Sequence, residues 1–317
     1  MRVLVVTAVP AERDAVVRGV RAAAAESADT PEAAEISVPG GRTLHRVVRP
    51  PLTVDVLAAG VGPAAAAAAT ATALTAAQLG TAGPGTAGLD AAEPGTARLD
   101  AAEPGAARLD AAEPGAARLD AARPGTAGLD AARPGTAGLD AARPGTAGLD
   151  AAPYGLVVSA GIGGGFTPAP LGTVVVAEAI VAADLGAETP DGFAAVTDLG
   201  FGTVEHLPPP ALVRAVAEAA GAARGAVLTV STVTGSAGRA TELLRRHPRA
   251  AAEAMEGFGV AEAAAAHGVP VLEVRAISNT VGPRDRAAWR IGEALDALAG
   301  AFRDLPPALA TWKGPST

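Results

Sequence analysis

Three residues of this sequence carry groups able to act on a small polar molecule from places where a fold could bring them together: Glu12, Glu256 and Asn279. Glu12 follows the apolar run Val3 to Val9 after only Pro10 and Ala11, Glu256 stands between Met255 and Gly257, and Asn279 closes the run Ala276-Ile277-Ser278. A carboxylate can deprotonate water or stabilise a developing cation, and an amide offers a donor and an acceptor side by side. Each residue also has a plain structural role: Glu12 as an acid favoured in a first helical turn, Glu256 as a surface acid, Asn279 as a cap or turn residue. Composition removes other chemistries. With no cysteine there is no disulfide framework, thiolate nucleophile or Cys-ligated metal. The histidines, His45, His206, His247 and His267, are scattered without metal-ligand spacing, so no metal is expected. A formal net charge of −8 opposes a nucleic-acid footprint.

The elements that must position these residues alternate in type. Residues 3–9 read as a buried strand and 11–25 as a helix. Residues 44–49 and 52–59 read as two more strands. Gly60-Val61-Gly62-Pro63 is a turn into a helix of strong formers over 64–78. A strand over 156–160 runs into Gly161-Ile162-Gly163-Gly164-Gly165. Further strands are expected over 174–180, 226–232 and 271–278, and helices over 212–223, 250–267 and 287–302. On this reading Met255-Glu256-Gly257 lies inside a helix and Trp289 on the last one. Strands alternating with helices give an α/β sheet whose site lies at the strand ends.

A repeat interrupts this pattern. From Thr81 to Asp150 a ten-residue unit recurs seven times, with one leucine per unit (Leu89 to Leu149) and a recurring Pro-Gly. Ordering ten residues costs roughly 10–20 kcal/mol of backbone entropy, while burying one leucine returns roughly 2 kcal/mol. The segment 81–150 is therefore expected to be a flexible, solvated, low-complexity insertion, with a short solenoid as the alternative. Residues 1–80 and 151–306 then make one domain, with 307–317 as a tail. Two uncharged stretches do not read as membrane spans: 56–77 has only four large aliphatics and carries Gly62-Pro63, and 151–177 holds Gly161 and Gly163-Gly164-Gly165 with Pro168 and Pro170 behind them. The apolar start is too short for a signal peptide. The expectation is a soluble, cytoplasmic protein.

Five short runs occur together in one order: Val9-Pro10-Ala11-Glu12, Ala59-Gly60-Val61-Gly62, Gly161-Ile162-Gly163-Gly164, Ala254-Met255-Glu256-Gly257 and Arg275-Ala276-Ile277-Ser278-Asn279. In these the chain resembles the nucleoside phosphorylase/nucleosidase superfamily, and within it the methylthioadenosine/adenosylhomocysteine nucleosidase-like hydrolases. The resemblance implies a three-layer nucleoside phosphorylase-like fold, with a central twisted mixed sheet flanked by helices. It also implies a homodimer acting on a small purine nucleoside with water, without a cofactor. Glu12 would position or deprotonate the water. Met255 and Glu256 would line the ribose, and Gly161, Ile162, Gly163 and Gly164 would pass close to sugar and base. Val233, Thr234 and Phe166 would border the purine, and Trp289 would cap the base or the 5′ substituent.

Asn279 departs from the adenine-cleaving relatives, which the resemblance gives an Asp there. An amide matches a 6-oxopurine: its oxygen accepts from N7–H and its NH2 donates to O6, whereas a 6-aminopurine sets two donors against each other. A hypoxanthine-type base is favoured. Phosphorolysis is disfavoured, because Ser159 stands where a phosphate-binding arginine is expected and Glu12 would repel phosphate. Arg284, Arg286 and Arg290 could meet an acid beyond the ribose or be solvated charges at a helix start. Three alternatives stay open: a 6-aminopurine nucleosidase, a purine nucleoside phosphorylase, and a silent domain tethered by its repeat.

Overall fold

The structure, a computed structural model, describes residues 1–23, 32–80, 153–167, 169–312 and 314. The chain divides into one unit of Met1–Thr86 with Ala147–Thr317 and a second of Ala87–Thr146. The repeat over 81–150, with the flexibility expected of it, lies outside the described residues.

Strand β1 (Arg2–Thr7) leads into α1 (Pro10–Ala22). Strands β2 (Glu32–Val38), β3 (Arg42–Arg49) and β4 (Leu52–Ala58) follow, then α2 (Pro63–Gln78). After the repeat come β5 (Leu156–Gly165), β6 (Val174–Ala182), the hairpin β7 (Gly186–Thr189) and β8 (Gly192–Ala195), β9 (Glu205–His206) and α3 (Pro210–Ala219). Then follow β10 (Ala223–Thr229), α4 (Ala237–Arg246), β11 (Ala250–Ala254), α5 (Gly257–Ala266), β12 (Val271–Thr280), α6 (Ile291–Asp304) and α7 (Pro306–Thr311). The main sheet is mixed and ordered β11-β10-β6-β12-β5-β1-β4-β3-β2. It curls back on itself, because β11 pairs in parallel with β10 and antiparallel with the far end of β5, at Gly164 and Gly165.

Alternation along each buried strand separates the two faces. Val3 and Val5 of β1 pack with α1, α3, α6 and α7, while Leu4 and Val6 pack with α2 and α5 on the opposite side. The result is the expected three-layer arrangement of helices on both faces of a mixed sheet. Within the two uncharged stretches the described residues include strand β5, parts of β4 and β6, and most of α2. No helix among the described residues is long and apolar enough to cross a membrane.

Three expectations are corrected. Residues 250–267 are not one helix: 250–254 form β11, and the helix starts only at Gly257. Alanine favours helix locally. Where the sheet closes between β10 and β5, however, small side chains let two neighbours pair with one strand, and tertiary packing overrides propensity. Residues 287–302 are not one helix either. A 3-10 turn over Arg286–Ala288 is capped by the Asp285 side chain, Trp289 is extended, and α6 begins at Ile291. Finally, residues 307–311 of the expected tail belong to α7, which starts at Pro306 and buries Pro306 and Leu309.

Candidate active site

The curl of the sheet gathers four chain segments around one cavity of about 410 Å³, within the range of small-ligand sites. The end of β1 supplies Ala8, Val9 and Glu12, and the end of β5 supplies Ile162, Gly163 and Gly164. The β11–α5 junction supplies Glu253, Met255 and Glu256, and β12 with its following loop supplies Ser278, Asn279, Arg284 and Trp289. Val233 and Thr234 close one side. Glu12, Asn279, Met255, Glu256, Ile162, Gly163, Gly164, Val233, Thr234 and Trp289 therefore share one cavity.

Gly161, Phe166, Arg286 and Arg290 do not line it. Phe166 is buried in the core with Val181 and Leu228, because the chain turns inward once β5 has paired with β11. Gly161 lies behind the wall: a Cβ there would come 2.5 Å from Glu12 Oε1 and 2.7 Å from Arg275 Nη1. Its missing side chain makes room for protein charges rather than for a ligand.

Glu12 is buried at the first turn of α1. Its Oε2 accepts from the backbone N–H groups of Ala8 at 2.9 Å and Val9 at 3.3 Å, and its Oε1 from Ile162 N–H at 2.8 Å. Burial pushes this carboxyl above its ordinary value, with the charge of Glu256 acting the same way. Arg275 and the backbone donors pull it only part of the way back.

Beneath the cavity lies a charge cluster that sequence reasoning passed over. Arg275 is 1% exposed and Glu273 fully buried. The guanidinium donates from Nε to Glu273 Oε1 at 2.9 Å, from Nη1 to Glu256 Oε2 at 3.2 Å and from Nη2 to Ser159 Oγ at 2.9 Å. Burial raises Glu273 to about 6 despite this ion pair. The other oxygen of Glu256 accepts from Gly62 N–H at 3.3 Å. Gly257 permits the whole arrangement, since a Cβ there would overlap both carboxylate oxygens of Glu273. The signal for this cluster was available: Glu273 and Arg275 stand two apart in the otherwise apolar run Val271 to Ile277, and so share one buried face.

A second missed carboxylate, Glu253, accepts from both the backbone N–H and the hydroxyl of Thr234. At β12 a bulge between Ile277 and Asn279 turns the Asn279 side chain to the cavity. Its Oδ1 lies 2.9 Å from the Ser278 hydroxyl, which donates to it, and its Nδ2 donates to Thr280 O at 3.1 Å. One lone pair and one N–H of the amide remain for a ligand. Trp289 is held near the rim because the neighbouring Arg290 N–H donates to Ser278 O at 2.8 Å. No group of three or more metal-ligating side chains occurs among the described residues.

Comparison with known proteins adds to this geometry. Residues 141–305 match the family model described as the phosphorylase superfamily. A curated futalosine hydrolase from Streptomyces coelicolor is 75% identical over 162 residues, covering 51% of this chain and 69% of that protein. A solved futalosine hydrolase from Helicobacter pylori has a TM-score of 0.60 at 14% identity, covering 98% of this chain and 97% of the other. A 5′-methylthioadenosine/S-adenosylhomocysteine nucleosidase from Colwellia psychrerythraea, in complex with adenine, has a TM-score of 0.59 at 17% identity, covering 98% and 94%. The two structures share the fold with this chain to the same degree, so the backbone alone does not discriminate between their substrates.

Proposed function

The chain belongs to the phosphorylase superfamily, and from that premise we propose that it hydrolyses the N-glycosidic bond of futalosine, releasing hypoxanthine and dehypoxanthine futalosine. In that role it serves an alternative route to menaquinone. The observation that carries the reading is the pairing, across one cavity, of the buried carboxylate of Glu12 with the half-satisfied amide of Asn279.

The chemistry follows from charge. As the C1′–N9 bond breaks, its electron pair leaves with the base and the sugar becomes oxocarbenium-like. Water adds at C1′ and gives up a proton. Glu12 takes that proton: a carboxyl raised by burial is a better base than an ordinary one. Glu256, oriented by Arg275 and Gly62 N–H, accepts from the ribose hydroxyls and its charge stabilises the cation. The departing base takes a proton at N7 from solvent, matching the one that Glu12 removes from water; Asn279 accepts from that N7–H and donates to O6 of the hypoxanthine. Met255, Ile162, Gly163 and Gly164 line the sugar, and Val233 and Thr234 border the base, with Thr234 fixed by Glu253.

Water rather than phosphate fits as the second substrate. Arg275, the arginine beneath the catalytic carboxylates, is spent on Glu256, Glu273 and Ser159, and the carboxylates Glu12, Glu253 and Glu256 line the cavity. The expected homodimer and cytoplasmic location remain part of the proposal and rest on the family resemblance; light scattering of the full chain tests the dimer.

The deciding assay follows free base from futalosine, inosine and methylthioadenosine, with and without phosphate. Hypoxanthine should appear from futalosine without phosphate. Adenine release alone would overturn the base assignment, and strict phosphate dependence would overturn hydrolysis.

A further inference from the structure

The charges lining the cavity are unevenly placed. Glu12, Glu253 and Glu256 are buried carboxylates, whereas Arg284 is exposed and is the one cation among the described lining residues. Its guanidinium lies 5.3 Å from the ring centroid of Trp289, face-on in cation–π range. Its aliphatic stem passes Gly235, where a Cβ would sit 3.8 Å from both Cγ and Cδ. Arg284 takes part in no ion pair among the described residues, in contrast to Arg275. Arg286 and Arg290, its sequence neighbours, do not reach the cavity.

We infer that Arg284 and Trp289 form a specificity subsite for an aromatic carboxylate carried on the 5′ side of the nucleoside, the indole packing on the ring and the guanidinium pairing with the acid. The inference rests on the proposed function and deepens it, by naming the residues that select the group beyond the ribose. Among the described lining residues an anionic substituent has no other cation to meet, and three carboxylates further in would repel it. Charge thus orients the nucleoside, with base and ribose inward and acid at the mouth. A planar guanidinium can take a carboxylate through two parallel hydrogen bonds while still stacking on an aromatic ring, which an ammonium cannot do.

The test compares futalosine with inosine, which shares base and ribose but lacks the acidic aromatic group. Arg284→Ala should lower the ratio of kcat/KM for futalosine over inosine by at least about tenfold, mostly through KM, as befits an interaction made alike in ground and transition states. Arg284→Lys should recover part of the ratio. In the wild type, rising salt should raise KM for futalosine more than for inosine, and Arg284→Ala should remove that difference. Calorimetry with 3-acetylbenzoate reports the subsite without turnover: binding should weaken at least tenfold in Arg284→Ala. An unchanged ratio, or a loss equal on both nucleosides with 3-acetylbenzoate binding unaltered, overturns the inference and leaves the proposed function standing. Failure of the wild type to cleave futalosine overturns that function, while 3-acetylbenzoate still decides whether the subsite exists.

Discussion

Arg275 and Glu256 form a buried ion pair, Nη1 to Oε2 at 3.2 Å, directly beneath the cavity. The same guanidinium neutralises Glu273, so one cation holds two buried carboxylates. Deleting it by Arg275→Leu strands both acids without a counter-charge. The expected cost is about 3–5 kcal/mol of folding stability, read as a lowered midpoint in urea, together with loss of turnover as Glu256 loses its orientation. A loss below about 1 kcal/mol would show that the cluster relaxes or takes up protons instead.

Glu12→Gln keeps an acceptor oxygen for Ile162 N–H but removes the base. Hydrolysis of futalosine should fall by about 10²–10⁴-fold with little change in KM. In the wild type, activity should be lost on the acid side through a value above the ordinary carboxylate one, because burial raises the Glu12 carboxyl. An acid limb at or below pH 4.5 in the profile of kcat/KM would contradict the assignment.

The same burial sets the pH dependence of stability. Glu273, with an ordinary value of 4.5, is raised to about 6 in the folded protein. A carboxyl raised on folding binds its proton more tightly in the native state. Its stabilising contribution is complete below pH 4.5 and is lost as pH rises through about 6. Thermal unfolding of the wild type between pH 4.5 and 7 should carry this falling component, and Glu273→Gln should flatten it. Parallel curves for the two proteins would refute it.

Asn279→Asp replaces a donor–acceptor pair with acceptors alone at pH 7. O6 of hypoxanthine then faces a carboxylate, and the 6-amino group of adenine gains an acceptor. The ratio of futalosine to methylthioadenosine cleavage should fall by at least about tenfold, since an unpaired polar contact in a recognition site costs more than 1 kcal/mol. An unchanged ratio would show that Asn279 does not read the base.

Much of the site is legible in the chain itself. Glu12 after the first strand, the glycine run of β5, Met255-Glu256-Gly257 and Asn279 at the end of β12 are local patterns, and their order along the chain identifies the family and fold without coordinates. The apolar run Val3 to Val6 likewise marks a buried strand, which the structure sets between two helical layers. Tertiary structure decided the rest. Alanine at 250–254 favours a helix on its own, and only pairing with β10 and β5 makes it a strand, which moves Glu256 from mid-helix to a strand–helix junction. Whether Arg275 and Glu253 serve the site or the surface depends on burial, which residue type does not reveal. Their neighbours come from β5, α5 and the Thr234 loop, distant in sequence and joined only when the sheet closes on itself. The same closure separates Arg284, free at the mouth, from Arg275, spent within, although the two stand nine residues apart in one stretch of chain.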